Sequence, residues 1–488
     1  MSSLRERMNR LRSSAAGAAS STGGAPEGAG EQPYREPDLE ASLEGSLETS
    51  IEGNKETNIL ANSKVHELDD SHTANMDGTI LETETETETE AGAEQLPESW
   101  LAMGVKLQTN EVGTFLLREV KYAAAHQHGI HRLSELKEAS KGLSAFHGEQ
   151  IGAEHLLILD LETTGLGVGT GNVPFMVGIA YWQEQQFIVE QALIRHPAEE
   201  RAMLAYLKEK LTAYAYLVTY NGRTFDWPVM LNRFILNGFG SKVWAPLHLD
   251  FLHPARSVWR NTLASCRLSH VEEERLGIER VDDVPGSLAP QLYFQYLADQ
   301  NPEPLAGVFR HNEIDMLSLA SLAIRFGHLL NGEAGCGPLP MPEEPEEIVR
   351  TGLWLEKMGQ AEKAERLFAV AEQLPGMTLN ALLLLAARDK KAGNWRRAVL
   401  LWQKAVMLPL KFGASDDSAF IELAMYYEHK LKDYESALLY ADEALQMALS
   451  HPLRGRQTAK QRAELAELRK RSLRLQGKIG RKLGNHGT

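Results

Sequence analysis

Leu157-Ile-Leu-Asp-Leu-Glu-Thr-Thr-Gly165 is an apolar run that ends in two carboxylates spaced two residues apart, Asp160 and Glu162. Residues 155–161 read as a buried β-strand, and the period-2 geometry of a strand puts both carboxylates on one face. Two acids converging at a strand end repel each other unless they share a cation. Taken alone, such a pair is also an ordinary strand-end feature. Outward from it the pattern is mixed α/β. Residues 113–122 suit a strand, and 175–182 with 187–194 predict a hairpin turning at Glu184-Gln185. Residues 197–211 have helical periodicity, 216–220 form another short strand, and 227–237 and 312–330 read as helices.

Two further polar segments stand out. In Val218-Thr-Tyr-Asn-Gly-Arg-Thr-Phe-Asp-Trp-Pro228 a strand ends at Tyr220, a short loop follows, and Asp226 opens a helix with Pro228 in its first turn. An Asp at that place serves equally well as a helix cap, and Asn221 as a turn residue. In His311-Asn-Glu-Ile-Asp315 the His and the Asp are four residues apart, so they share one helical face.

Together these segments resemble the DEDD exonucleases of the ribonuclease-H-like superfamily. Those enzymes combine an Asp-x-Glu strand, an Asn-x-x-x-Phe-Asp segment and a His- or Tyr-led helix ending in Asp. The resemblance implies that Asp160, Glu162, Asp226 and Asp315 are metal-binding carboxylates and that His311 is the catalytic His. One departure is visible: the His subgroup usually has four residues between His and Asp, whereas three stand here, as in the Tyr subgroup. Further segments, His248-Leu-Asp-Phe-Leu, Leu268-Ser-His-Val-Glu272, Leu276-Gly-Ile-Glu-Arg280 and Asp283-Val-Pro-Gly286, are similar to the YprB-type ribonuclease-H-like family, in which tetratricopeptide repeats follow the domain. That similarity implies a metal-dependent DNA exonuclease, 3′→5′ in direction, acting in repair alongside a helicase partner. Asp250 and Glu272 fall within these segments without an evident role.

The chemistry follows from the charge of the substrate. A phosphodiester repels nucleophiles, and two Mg²⁺ or Mn²⁺ ions activate water and stabilise the leaving oxygen; four hard oxygen ligands suit those ions better than zinc. The expected arrangement has Asp160 bridging, Glu162 and Asp315 on the nucleophile side, Asp226 on the other ion, and His311 orienting or deprotonating the water. Thr163, Leu166, Asn221, Arg223, Phe225, Arg267 and Arg310 are candidate substrate contacts, and Trp227 a further stacking surface; core packing or turn formation explains each of them equally well. Nothing in these residue types tells DNA from RNA or an end from an internal bond. A decayed nuclease fold acting as a scaffold is the non-enzymatic alternative.

The rest of the chain sets the organisation. Of 488 residues, 51 are Lys or Arg and 66 Asp or Glu, for a net −15, which argues against a polyanion partner until the charge is located. Residues 1–95 carry 7 basic and 20 acidic residues with Tyr34 as their only aromatic, a composition expected to be a disordered acidic tail. Between Arg454 and Lys482 there are 11 basic residues and two acidic ones, expected to be a basic helix or tail over 451–488 that contacts phosphate or is simply solvated. The α/β exonuclease domain, a mixed central sheet flanked by helices, is expected over 96–330. A Gly/Pro-rich linker is expected over 331–342.

Beyond it Gly359, Ala364, Phe368, Ala371 and Pro375 recur 34 residues later as Gly393, Ala398, Trp402, Ala405 and Pro409. Tyr434, Ala437 and Ala444 follow with an offset of 39 from Trp395, Ala398 and Ala405. A 34-residue period with small residues at helix crossings is the tetratricopeptide signature, expected over 343–450 as an all-α, protein-binding domain. Two cysteines, no secretory apolar core near the N-terminus and no membrane-length apolar run predict a cytoplasmic protein, with nucleoid association open and no membrane partner.

Overall fold

A computed structural model describes residues 96–165, 167–335, 339–408, 417–450 and 459–484. The acidic segment 1–95 and the candidate contact Leu166 lie outside the described residues. A seven-stranded mixed sheet runs in the order β1 (Val105–Asn110), β2 (Gly113–Ala123), β7 (Gln186–Leu193), β6 (Pro174–Gln183), β5 (Leu156–Thr163), β8 (Tyr216–Thr219) and β9 (Leu247–Asp250). The short pair β3 (Gln127–His128) and β4 (His131–Arg132) forms a separate ribbon. From β1 to β5 all neighbours are antiparallel, whereas β5–β8 and β8–β9 are parallel. The central strands are covered on both faces, which is why β5 and β6 read as nearly unbroken apolar runs. The β6–β7 hairpin turns at Glu184-Gln185, both with positive φ as a two-residue hairpin of the mirror-image type needs.

The strand directions fix where a site forms. β5 is the point where the antiparallel half meets the parallel half. Because β5 and β8 run parallel, their C-terminal ends leave the sheet at the same edge. The helix Asp226–Leu236 that follows β8 therefore starts beside the carboxylates of β5. The helix Leu305–Asn331 crosses the same region of the sheet, and its 27 residues are buried along most of their length. Phe175 stacks on Tyr293 with ring centroids 4.3 Å apart, in a core shared by the sheet and the helix Ala289–Asp299.

The described residues between 345 and 450 form three helix pairs. The pairs are Pro345–Lys357 with Ala361–Gln373, Leu379–Lys391 with Trp395–Ala405, and Ser418–Tyr426 with Tyr434–Ser450. Ala364, Ala398 and Ala437 are fully buried, because a larger side chain at those crossings would force the helices apart. Gly359 and Gly393 both have φ of 77°, the left-handed backbone that ends the first helix of a pair. In the third pair the equivalent position is Lys432, with φ of 55°. The helical region packs on the sheet domain: Trp259 Nε1 donates to Glu347 Oε1 at 2.9 Å, Arg275 Nε to Glu347 Oε2 at 3.0 Å, and Asn261 Nδ2 to Glu346 Oε1 at 2.7 Å. The described residues from 96 onward belong to one compact unit. The basic stretch is a helix, Ala459–Gly484, whose Lys478 and Arg474 each reach the buried Glu428 at 2.8 Å. Among the described residues no helix is long and apolar enough to cross a membrane.

Candidate active site

Asp160 and Glu162 project from the C-terminal end of β5. Asp160 lies opposite Gly178 of β6, which lies opposite Gln191 of β7, and the side chain of Asn312 sits over this row. Gln191 Nε2 donates to Asn312 Oδ1 at 3.0 Å, and Asn312 Nδ2 donates to Asp160 Oδ2 at 3.0 Å. A Cβ at position 178 would stand 2.1 Å from Asn312 Oδ1, so glycine is what admits the carboxamide. The relay fixes one oxygen of Asp160 from three neighbouring elements.

Asp226 is the first residue of its helix, one place past the cap position, which Phe225 holds. The backbone N–H groups of Asp226 itself and of Leu161, the residue between the two acids of β5, act on its carboxylate. Burial, reinforced by Asp250 and Asp315 and opposed by those two N–H groups, pushes its carboxyl up to about 7. The loop before Asp226 is held by Asp250, whose carboxylate accepts from the backbone N–H of Asn221 at 2.9 Å, Arg223 at 3.0 Å and Leu252 at 3.0 Å. Asn221 takes a left-handed backbone, with φ of 68°. Next to this loop His248 meets the Thr219 hydroxyl at 2.8 Å, and burial holds it neutral by pushing its imidazolium down to about 4.

Asp315 and His311 lie one turn apart on the long helix, with His311 Nε2 3.5 Å from Asp315 Oδ2. The other ring nitrogen, Nδ1, faces the Asp283 carboxylate at 2.8 and 3.0 Å. A terminal nitrogen of Arg280 also meets Nδ1 at 3.1 Å, and the tautomer that donates Nδ1–H to Asp283 is the one that leaves a lone pair on Nε2. Arg280 sits between the acids. Its Nε and one terminal nitrogen grip Glu272 at 2.6 and 2.7 Å, that same terminal nitrogen also donates to Asp315 Oδ1, and the other reaches Asp283 at 3.0 Å. The segments 268–272, 276–280 and 283–286 thus meet at Asp315 and His311. Gly286 belongs to the same arrangement, since a Cβ there would come 3.0 Å from His311 Nε2.

The four carboxylates affect one another. Burial raises Asp160 and Glu162 well above the usual carboxylate range, and the charges of Asp315 and Asp226 raise them further. Burial also raises Asp315, against the pull of Arg280 and His311. Among the described residues no three carboxylate, imidazole or thiolate groups form a ready-made cation cage. The donor set nevertheless fits Mg²⁺ or Mn²⁺: all four ligands are hard oxygens, gathered where their mutual repulsion is relieved by positive charge. Arg280 already supplies part of that charge to Asp315, so a cation would share that carboxylate with the guanidinium.

The other candidate contacts divide. Thr163 is buried and its hydroxyl donates to the Gly165 carbonyl at 2.6 Å, a local turn bond. Phe225 and Trp227 pack against the core, Trp227 edge-on to Trp244. Arg223 donates to the His248 carbonyl at 2.9 Å and Arg310 weakly to that of Val281 at 3.4 Å. Arg267 is exposed and lines a cavity beside Asn221. Arg280, Asp283, Asn312 and Gly178 are the residues of the site whose roles the sequence does not give; Arg280, Asp283 and Gly286 lie within segments that carry the family similarity, which marks their neighbourhood without their function.

Comparison with known proteins places all five central residues inside one family match. Residues 157–326 match a family model described as RNase_H superfamily. The chain is 35% identical over 383 residues to the uncharacterized protein YprB of Bacillus subtilis (strain 168), an alignment spanning 77% of this chain and 90% of that protein.

Proposed function

The chain belongs to the YprB family and carries an RNase H superfamily domain, and from that premise we propose that it is a divalent-metal-dependent nuclease that shortens DNA from its ends, in the 3′→5′ direction. The observation that carries this reading is the gathering of Asp160, Glu162, Asp226 and Asp315 from a strand and two helices into one mutually repelling group. Mg²⁺ or Mn²⁺ held there supplies Lewis acidity to the phosphate and to the attacking water. Asp160, Glu162, Asp226 and Asp315 would hold the ions, and Asn312 orients Asp160. His311, in the tautomer that donates Nδ1–H to Asp283, accepts the proton of the water at Nε2. Gly286 keeps the space beside that nitrogen open. The action on DNA in repair and the helicase partner rest on the family resemblance. The repeated helix pairs, read as tetratricopeptide repeats, support a protein-binding role for 343–450.

Purified protein with Mn²⁺ or Mg²⁺ is expected to shorten linear DNA, and Asp160→Ala or Asp315→Ala to abolish this. Intact DNA with every end structure tried would overturn the proposal. Label at the 5′ end against label at the 3′ end reads the direction. A closed circle and a labelled RNA in parallel reactions separate the endonuclease and RNA alternatives.

A further inference from the structure

One cavity borders the catalytic loop without belonging to the carboxylate group. It has a volume of about 470 Å³ and is lined by Tyr220, Asn221, Arg256, Ser265, Cys266 and Arg267, among others. Its walls are built. Asp250 holds Asn221 through the backbone, and the Tyr220 hydroxyl donates to the Cys266 carbonyl at 2.5 Å, closing the loop against the segment 265–267. Ser265 Oγ accepts from the backbone N–H of Arg267 at 3.1 Å and shapes the turn.

The charge of this cavity is opposite to that of the neighbouring site. No carboxylate is among its lining residues. Arg256 and Arg267 line it, and Arg260 and Arg350 act electrostatically, with Arg256, on the Cys266 thiol of its wall. Arg350 is tied to Glu346 at 3.1 Å. Arg256, Arg260 and Arg267 form no ion pair with a carboxylate among the described residues, whereas Arg118, Arg195, Arg233, Arg275, Arg280 and Arg388 each do. Arginines left unpaired around a polar recess carry an uncompensated charge, and their planar donors match phosphate oxygens. Acids for the metal and arginines without partners thus stand on the two sides of a single loop, 220–226.

We propose that this cavity binds a backbone phosphate of the nucleic-acid strand whose neighbouring phosphodiester enters the carboxylate group. Arg256 and Arg267 are the binding side chains, and Tyr220 and Asn221 form the wall shared by the two sites. The proposal rests on the nuclease reading and adds to it the path of the strand: across the loop 220–226, toward the helix Leu252–Trp259.

The test uses the full chain, a fluorescent, hydrolysis-resistant phosphorothioate single strand and Mn²⁺ buffer. Arg256→Gln/Arg267→Gln is expected to weaken binding about tenfold or more and to reduce the slope of log affinity against log salt by about 0.7, the share of the one phosphate that the variant no longer neutralises. In the unmodified chain the strand is expected to slow alkylation of Cys266 by N-ethylmaleimide, read by peptide mass spectrometry, which needs no variant to fold. An unchanged salt slope, or a Cys266 that the strand leaves unprotected, overturns the proposal while the nuclease reading stands. Equal protection by inorganic phosphate at the same concentration also overturns it, because the cavity then takes free phosphate. A wild-type chain that binds no strand at low salt overturns the nuclease reading together with this one.

Discussion

At the scale of single residues, the carboxylate group depends on neighbours that carry no acid of the group. Gly178 is the simplest case: an added methyl would collide with Asn312 and displace the donor that orients Asp160. Gly178→Ala is expected to cost about 1–3 kcal/mol in chemical denaturation, the range for overpacking, and to lower activity further than that loss of stability accounts for. Asp283 is the second case. Asp283→Asn would present an N–H to His311 Nδ1 and move the ring proton to Nε2, so kcat should fall roughly 100-fold while Mn²⁺ affinity by calorimetry stays unchanged. A loss of Mn²⁺ binding would show that Asp283 serves the metal and not the imidazole. The residues legible in the sequence are those at element ends within short motifs, Asp160, Glu162, Asp226, His311 and Asp315. Asn312 was not legible, because it lies 152 residues from Asp160 and its meaning arises only when the long helix crosses β5. Arg280 was not legible for the same reason: its three acidic partners converge from three separate segments.

At the scale of elements, local chemistry made most of the fold readable. The hairpin of β6 and β7, the strand β5 and the helix after β8 follow from period and turn position. The sequence predicts the long helix to begin at 312, but it starts at Leu305, about two turns earlier. The stretch Leu305–Phe309 packs Leu305, Val308 and Phe309 into the core, a tertiary contact that helical periodicity over a few residues does not signal. The repeat register was legible because small residues recur where helices cross. The third helix pair departs from the first two at one backbone position, where Lys432 takes the left-handed conformation occupied by Gly359 and Gly393. Lys432→Gly is expected to stabilise the chain by about 1 kcal/mol, seen as a higher urea midpoint, because glycine adopts that conformation without a Cβ penalty. Destabilisation would mean that the Lys432 side chain contributes more than its backbone strain costs.

At the scale of the whole molecule, charge location matters more than net charge. Glu428 is buried, and against the effect of burial the hydrogen bond from Lys478 and the charge of Arg474 hold its carboxyl below the usual range. A carboxyl depressed in the folded state contributes stability above its unfolded pKa, and that contribution is lost as pH falls through the folded value. The helix Ala459–Gly484 should therefore loosen below the ordinary range of glutamate while it stays docked at neutral pH, and Glu428→Gln should remove this acid dependence. Hydrogen exchange of that helix as a function of pH is the measurement, and an acid response unchanged in Glu428→Gln would assign the docking to other contacts.

The seam between the sheet domain and the first helix pair has a mechanical meaning. Glu346 is gripped by Asn261 from one side and by Thr378 and Asn380 from the other, and Glu347 by Trp259 and Arg275. Such a joint is a weld and not a hinge. The face that these helices present is thereby held at a set bearing to the carboxylates of the sheet domain, like a bracket bolted to its plate.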